Sequence, residues 1–332
     1  MTTVSVLLPF CREGEWLLSS VESILKQSIV DFELILTGND ADTHTQAIAA
    51  SLAAGDPRIL LCDESKKGIA HALNKGLSLA KGKYIARMDA DDFSLPDRLL
   101  KQFKFLESDP SALVVATQTA SHPEGPPGKG FHHFMNWQNN LVSPEDHWKN
   151  RFVESPLAHP TVFFHRSLYE RYGGYLTDGS PEDYELWLRW MEQGISIQKI
   201  PEALLLWRDH DLRLSRTSAE YTQDAFFRMK SAYLCRWIRQ NIPERKIIVC
   251  GAHALNRKRV KILEEHAIQI HGYTDITERS ATGKAFYPAL QLKPSGEFFY
   301  LSLVSGRGKG DEIRLFLNSR GLKEEEDFLI AG

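Results

Sequence analysis

Through the N-terminal third, hydrophobic positions alternate between a continuous or twofold pattern and a helical one. Val4-Ser5-Val6-Leu7-Leu8 predicts a buried strand, and Trp16 to Lys26 a helix with Leu17, Val21, Ile24 and Leu25 on one face. Glu33-Leu34-Ile35-Leu36 predicts a second strand, and the alanine-rich stretch from Thr45 to Ala54 the next helix. Arg58-Ile59-Leu60-Leu61 reads as a third strand, Ile69, Ala72, Leu73 and Leu77 mark a third helix, and Tyr84 to Met88 reads as a fourth strand. Strands alternating with helices across short connections imply parallel β/α winding. Ligands of such sheets lie beyond the carboxyl ends of the strands.

The pattern changes twice. His122 to Gly130 is rich in proline and glycine and predicts a loop, followed by tryptophans at 137, 148, 187, 190, 207 and 237. Rings of that size are expected in the core, with one or two available as a platform for a sugar. Near Asn241-Ile242-Pro243-Glu244-Arg245 the periodicity restarts. Lys246 to Gly251 predicts a strand entering a turn, Asn256 to His266 a helix, and Ile268-Gln269-Ile270 and Phe298 to Leu303 two further strands. A domain over 1–240 followed by a small α/β domain over 245–332 is the expected organisation.

Composition narrows the classes. The 332 residues are 42% hydrophobic and 25% charged, an ordinary globular mixture. With 40 basic and 43 acidic residues the net charge is −3, so no overall basic field recruits nucleic acid, and none is expected as a partner. The run Val4 to Phe10 is short, lacks a basic flank and is followed by Arg12 and Glu13, which fails as a signal peptide or a membrane span. Cys11, Cys62, Cys235 and Cys250 form no CxxC pair. A cytoplasmic protein without an integral membrane segment is expected, with peripheral contact at the inner face of the membrane left open.

The densest chemical signal is Met88-Asp89-Ala90-Asp91-Asp92-Phe93, directly after the fourth strand. Three carboxylates so close repel one another unless a cation or water screens them. A hard divalent ion held by one or two of them, with phosphate oxygens completing its shell, removes that repulsion. A solvated acidic turn capping the helix that starts near Ser94-Leu95-Pro96-Asp97 accounts for these residues equally well. Pro9-Phe10-Cys11-Arg12-Glu13-Gly14 contains no GxGxxG, and no Walker A loop occurs in the chain. Phosphates at the acidic turn would therefore be gripped through metal.

With these residues in order, the chain resembles the family 2 inverting glycosyltransferases of GT-A fold over roughly residues 3–216. The likeness is carried by Val4-Ser5-Val6-Leu7-Leu8-Pro9, Ala72-Leu73-Asn74-Lys75-Gly76, Ala80 to Ile85, and Asp89-Ala90-Asp91-Asp92 with Leu95-Pro96-Asp97-Arg98. It continues through His159-Pro160-Thr161-Val162, Gly173-Gly174-Tyr175 and Glu182-Asp183-Tyr184-Glu185-Leu186-Trp187. The resemblance implies a GT-A type nucleotide-diphospho-sugar transferase fold, followed by a small C-terminal Rossmann-like α/β domain. It implies metal-dependent, inverting transfer from a nucleotide-diphosphate sugar, expected to be a UDP-sugar, to a hydroxyl of a glycan or glycolipid acceptor in surface-polysaccharide synthesis.

Residue by residue, Asp89 and Asp91, with Asp92 beside them, match the DxD motif that holds the diphosphate through Mn²⁺ or Mg²⁺. Asp183 matches the general base, with Glu182 in reserve, although acids are also favoured there as first-turn residues of the next helix. His210 is assigned as a further metal ligand and Arg208 as a phosphate contact; His159 borders the acceptor site or is a satisfied core histidine. The donor is expected to meet Pro9, Phe10, Asn39, Asp40, Asn74, Asp89 and Asp91. Two departures stand out: Asn39 occupies an expected acidic position, and Pro9-Phe10-Cys11 replaces the usual tyrosine-asparagine turn.

In the C-terminal turn Cys250-Gly251-Ala252-His253-Ala254-Leu255-Asn256 only the first glycine of a dinucleotide fingerprint remains, with Asp275 at the fingerprint's acidic spacing. A structural or partner-binding role is favoured there over nucleotide binding, and Arg257-Lys258-Arg259 with Lys261 reads as a solvated helix face. The competing functions are a non-catalytic sugar-nucleotide-binding or scaffold protein and an NAD(P)-linked oxidoreductase acting through this domain.

Overall fold

A computed structural model describes residues 2–332 apart from 30, 125, 126, 277–282 and 307, so part of the proline- and glycine-rich segment after His122 lies outside the described residues. The chain divides into two compact units, Met1–His147 with Pro156–Tyr221, and Trp148–Ser155 with Thr222–Gly332.

In the first unit β1 (Val4–Phe10), α1 (Glu15–Leu25), β2 (Phe32–Gly38), α2 (Thr43–Gly55), β3 (Ile59–Asp63), α3 (Ile69–Leu79) and β4 (Tyr84–Arg87) follow the expected winding. The strands lie parallel in the order β3-β2-β1-β4. Their continuous apolar runs follow from burial on both faces. Val4, Val6, Leu34 and Leu36 join Leu17, Val21 and Ile24 of α1 in one core cluster. The opposite face meets α3, where Gly76 lies close to Leu7 and Ile35. Gly82 admits β1 against the turn before β4, since a Cβ there would stand 2.6 Å from the Ser5 nitrogen.

The rest of the sheet was not legible from hydrophobic period. After β5 (Phe93–Ser94) and α4 (Arg98–Ser108) come β6 (Val114–Ser121), α5 (Lys129–Asn140), α6 (Pro144–Asn150), β7 (Phe163–His165), α7 (Ser167–Tyr172), α8 (Glu182–Glu192), β8 (Ile197–Trp207) and α9 (Leu214–Thr217). These complete an eight-stranded sheet, β3-β2-β1-β4-β7-β6-β8-β5, in which β7 runs antiparallel to both β4 and β6. Trp187 and Trp190 are buried in this half, their rings 5.3 Å apart and Trp190 5.0 Å from Phe164, as core rings rather than a platform.

The second unit holds α10 (Gln223–Asn241), β9 (Lys246–Cys250), α11 (Ala254–Glu265), β10 (Ile270–Asp275), β11 (Ala285–Pro288), β12 (Phe298–Ser302), α12 (Lys309–Ser319) and β13 (Phe328–Ile330). Its sheet is wholly parallel in the order β11-β10-β9-β12-β13. β10 begins two residues later than the pattern implies. Ala267 adopts φ 60° and the Ile268 N–H donates to Leu263 O, so Ile268 terminates α11 instead of opening the strand. No described helix is long and apolar enough to cross a membrane.

Candidate active site

β4 ends at Arg87, and the chain leaves the sheet into the acidic turn. The Met88 N–H donates to Leu7 O (3.0 Å) and the Ser20 hydroxyl to Asp89 O (2.7 Å), so β1 and α1 fix the turn's backbone. Asp89, Asp91 and Asp92 each bring a carboxylate oxygen within 4.8 Å of the others. Asp89 pairs with the Arg87 guanidinium at 2.5 Å, and Asp91 lies 2.7 Å from His210 Nε2. Asp92 is fully buried; its Oδ1 accepts from the Arg208 N–H (2.9 Å), while its Oδ2 and the Nδ1 of His210 have no partner. Burial, reinforced by Asp91, holds the Asp89 and Asp92 carboxyls above the ordinary carboxylate range. Hard oxygens in mutual repulsion, with two buried polar atoms unsatisfied, fit a divalent cation.

Sequence reasoning missed Glu13, Trp16 and Arg87 beside this turn. Glu13, beyond β1, accepts from the Cys11 N–H (2.6 Å); burial, then the charges of Asp91 and Asp89, push its carboxyl up to about 7. Trp16 lays its ring 4.6 Å from that of His210 and 5.1 Å from the Arg208 guanidinium. The Arg208 donors go to Asp91 O (2.8 Å), Glu124 (2.6 Å) and His122 (3.1 Å), so the arginine braces the turn. Arg87 left one signal, a charge within the otherwise apolar Tyr84-Ile85-Ala86-Arg87-Met88.

A second acid group opens α8. Glu182 is buried and accepts from the Tyr221 hydroxyl, while Asp183 is half-buried and accepts from the Tyr184 N–H at 2.6 Å. Burial lifts Glu182 to about 8, helped by the charge of Asp183. Burial also lifts Asp183, to about 6, against the opposing pull of Arg87. His159 Nδ1 stands 3.7 Å from Glu182, and its Nε2 lies 2.9 Å from the Tyr175 hydroxyl. Burial and Arg87 keep that imidazole neutral, the satisfied core histidine of the two readings.

The loop leading to α8 is clasped at its base. Arg189 donates to Tyr172 O (2.5 Å) and Gly174 O (2.6 Å). Asn74 donates to Tyr175 O (2.8 Å) and accepts from the Tyr175 N–H (2.9 Å), which commits its amide to this loop. Asn39 is committed likewise: it donates to Glu64 O and Lys66 O (2.8 and 2.9 Å) and accepts from the Gly68 N–H (2.8 Å). Asp40 takes φ 55° and pairs at the surface with Arg12 (2.9 Å) and Lys67 (2.7 Å); Lys67 above all holds its carboxyl below the usual range. Pro9 and Phe10 end β1, with the Phe10 ring in the core. A cavity of about 790 Å³ opens at the ends of β2 and β3, lined by Gly38, Asp40, Asp63, Glu64 and Lys75 among others. The structure thus brings Asp89, Asp91, Asp92 and His210 into contact and places Asp183 within the field of Arg87 and Asp89.

In the second unit Gly251 turns at φ 85°, but the Ala252 N–H donates to Asp275 (3.1 Å), and Asn256 caps Cys250 O and Gly251 O (2.9 and 3.0 Å). A carboxylate of the chain itself thus takes an N–H of the turn that leads into α11.

Residues 5–173 match the family model described as Glycosyl transferase family 2. A Bacillus subtilis protein named as a glycosyltransferase, EpsE, is 34% identical over 227 residues, 67% of this chain and 78% of that protein. The O-antigen biosynthesis glycosyltransferase WbnJ of Escherichia coli is 29% identical over 232 residues, 68% of this chain and 87% of that one. Among solved structures, S. aureus TarS 1-349 in complex with UDP-GlcNAc aligns at a TM-score of 0.56 and 14% identity, covering 80% of this chain and 71% of that one. The mannosyltransferase PcManGT from Pyrobaculum calidifontis, in complex with GDP-Man and Mn²⁺, aligns at 0.50 and 20% identity over 80% and 68%.

Proposed function

This chain belongs to glycosyl transferase family 2, and from that premise we propose a cation-dependent, inverting transfer of a sugar from a nucleoside-diphosphate donor to an acceptor hydroxyl. The observation that carries the reading is the pairing of a cation-ready acidic turn with a half-buried, electrostatically tuned Asp183.

Asp89 and Asp91, with His210 and the free oxygen of Asp92, would hold the cation, Mn²⁺ or Mg²⁺. When bound, it neutralises the charge that develops on the departing diphosphate. Asp183 receives the proton of the acceptor hydroxyl as that oxygen attacks the anomeric carbon. The bond from that carbon to the diphosphate oxygen breaks on the opposite side, its electron pair leaving with the diphosphate. One displacement gives inversion. Asp183 suits the base better than Glu182, because it is the more exposed of the two and ionised at neutral pH, whereas Glu182 is buried, protonated and engaged by Tyr221.

Uridine remains the expected base of the donor, supported by the UDP-GlcNAc bound to TarS; the GDP-Man bound to PcManGT makes guanosine the alternative. The acceptor is read as a glycan or glycolipid, in keeping with the O-antigen role in the name of WbnJ. The 245–332 segment is read as an accessory domain rather than a nicotinamide site, because Asp275 takes the turn's N–H.

Calorimetric titration with UDP, GDP and their sugar conjugates, with Mn²⁺ and then with EDTA, tests the reading. Mn²⁺-dependent binding of one nucleotide, lost in Asp91→Ala, is expected. A folded protein that binds none of them refutes the enzyme in favour of a scaffold.

A further inference from the structure

Arg87 belongs to neither acid group, yet its charge reaches both. Its main chain is fixed on two sides: the N–H donates to Val162 O (2.9 Å) and the carbonyl accepts from Arg98 Nη1 (3.0 Å). The residue is 1% exposed. A buried guanidinium costs several kcal/mol unless paired, so its presence in a strand flanked by Ile85, Ala86 and Met88 calls for a reason beyond packing. Nη1 pairs with Asp89 Oδ1 and also donates to Met88 O, while Nε has no partner. Asp89 in turn brings a carboxylate oxygen within 4.8 Å of those of Asp91 and Asp92. Beyond Asp89, the groups within its field are Tyr175, Glu182, Asp183 and His159.

Resting on the family 2 reading above, we propose that Arg87 is a positioning residue shared by the two halves of the site. It anchors Asp89 for the cation-binding turn and supplies the buried positive charge that faces Asp183. The groups facing Asp183 are Arg87 and Asp89 from β4 and its turn, Glu182 and the Tyr184 N–H from its own helix, Tyr175 from the preceding loop, and Tyr221 from the turn after α9. Among these Arg87 is the one cation, and its charge joins the Tyr184 N–H in opposing the burial and the Asp89 charge that drive a proton onto Asp183. Because one guanidinium serves both halves, a change there disturbs donor binding and base ionisation together.

Arg87→Met and Arg87→Lys separate this role from support of the fold. Two quantities are read: the affinity for UDP or GDP with Mn²⁺, and the acid limb of turnover with water as acceptor. Where turnover is slow, the carboxyl ¹³C shift of Asp183, assigned by its loss in Asp183→Asn, replaces the limb. In Arg87→Met nucleotide affinity is expected to fall about tenfold and the limb to move up by about one pH unit, the size of effect an adjacent opposite charge exerts. Arg87→Lys keeps the charge but not the fork, so the limb stays in place while affinity falls. A purely structural arginine would lower thermal stability in both variants and leave the limb unmoved. A folded Arg87→Met with wild-type limb and affinity overturns the proposal. If Arg87→Met does not fold, wild-type affinity in Arg87→Lys overturns it. Wild-type protein that binds no nucleotide with Mn²⁺ defeats the functional reading itself, a result distinct from either.

Discussion

Replacing Asp183 by asparagine should make the protein more stable and nearly inactive at once. Burial raises this carboxyl from its ordinary 3.8 to about 6, so above pH 6 the folded state carries an ionised group it would rather protonate. At 1.36 kcal/mol per unit the ceiling on that penalty is about 3 kcal/mol. Asp183 is half-buried, so solvent screening reduces the realised gain to about 1–2 kcal/mol. Asparagine keeps an oxygen to accept from the Tyr184 N–H. The sign follows from linkage: the folded state binds the extra proton, the penalty is complete above pH 6 and is absent below pH 3.8, where both states are protonated. Thermal unfolding of wild type and Asp183→Asn at pH 7.5 and near pH 4 measures the gain, expected as a rise of about 4 °C at the higher pH that shrinks towards zero at the lower. Transfer should fall by about 10²–10⁴, the usual share of a general base, with nucleotide affinity within about twofold of wild type. A variant less stable than wild type at pH 7.5, or one that keeps its transfer rate, refutes the reasoning.

Wild-type turnover should fall below about pH 6 as Asp183 takes up a proton, and a rate flat from pH 5 to 8 would remove it as the base. Asp91→Ala should weaken Mn²⁺-dependent nucleotide binding by about tenfold or more while leaving the fold intact, since Asp91 is partly exposed; unchanged calorimetric affinity would displace the cation from this turn. Asn39→Asp, which introduces the acid that the family resemblance leads one to expect there, should destabilise by about 2 kcal/mol or more, because a carboxylate would face Glu64 O and Lys66 O without a proton to donate. Equal or higher denaturant stability for that variant would show that the Asn39 clasp is dispensable.

The parallel half of the sheet was legible because strands buried on both faces are written as unbroken apolar runs and their helices as stripes. The acidic turn was legible because its residues are neighbours in sequence. The antiparallel half was not: β5 and β7 have only two and three residues, too short for a period; Phe163 of β7 stacks on Tyr84 across the sheet, and Ser94 of β5 is held by hydrogen bonds to Ser23 and Gln27. Asn39 and Asn74 illustrate a different limit. Their positions relative to the motifs pointed to the donor; in the structure Asn39 gives both amide N–H groups to Glu64 O and Lys66 O, and Asn74 gives one to Tyr175 O, 101 residues away along the chain. Sequence spacing locates a residue near a ligand; only the hydrogen-bond inventory tells whether it has a donor or acceptor left to offer.

The position of β4 explains why one arginine can serve both acid groups. This strand pairs in parallel with β1 and antiparallel with β7, so it is the seam where the winding half of the sheet meets the antiparallel half. Its carboxyl end releases the acidic turn beside β1 and α1, where strand ends of a wound sheet expose a ligand crevice. The β7 side brings in Val162, Pro160 and His159, and behind them α8 with Glu182 and Asp183. A side chain at the last residue of β4 therefore lies between the acidic turn and the acid pair of α8, which are far apart along the chain. Placing a permanent positive charge there meets a physical need: two clusters of carboxylates on either side of a seam would otherwise raise each other's pKa and protonate, which would weaken the cation binding proposed for the turn and the basicity proposed for Asp183.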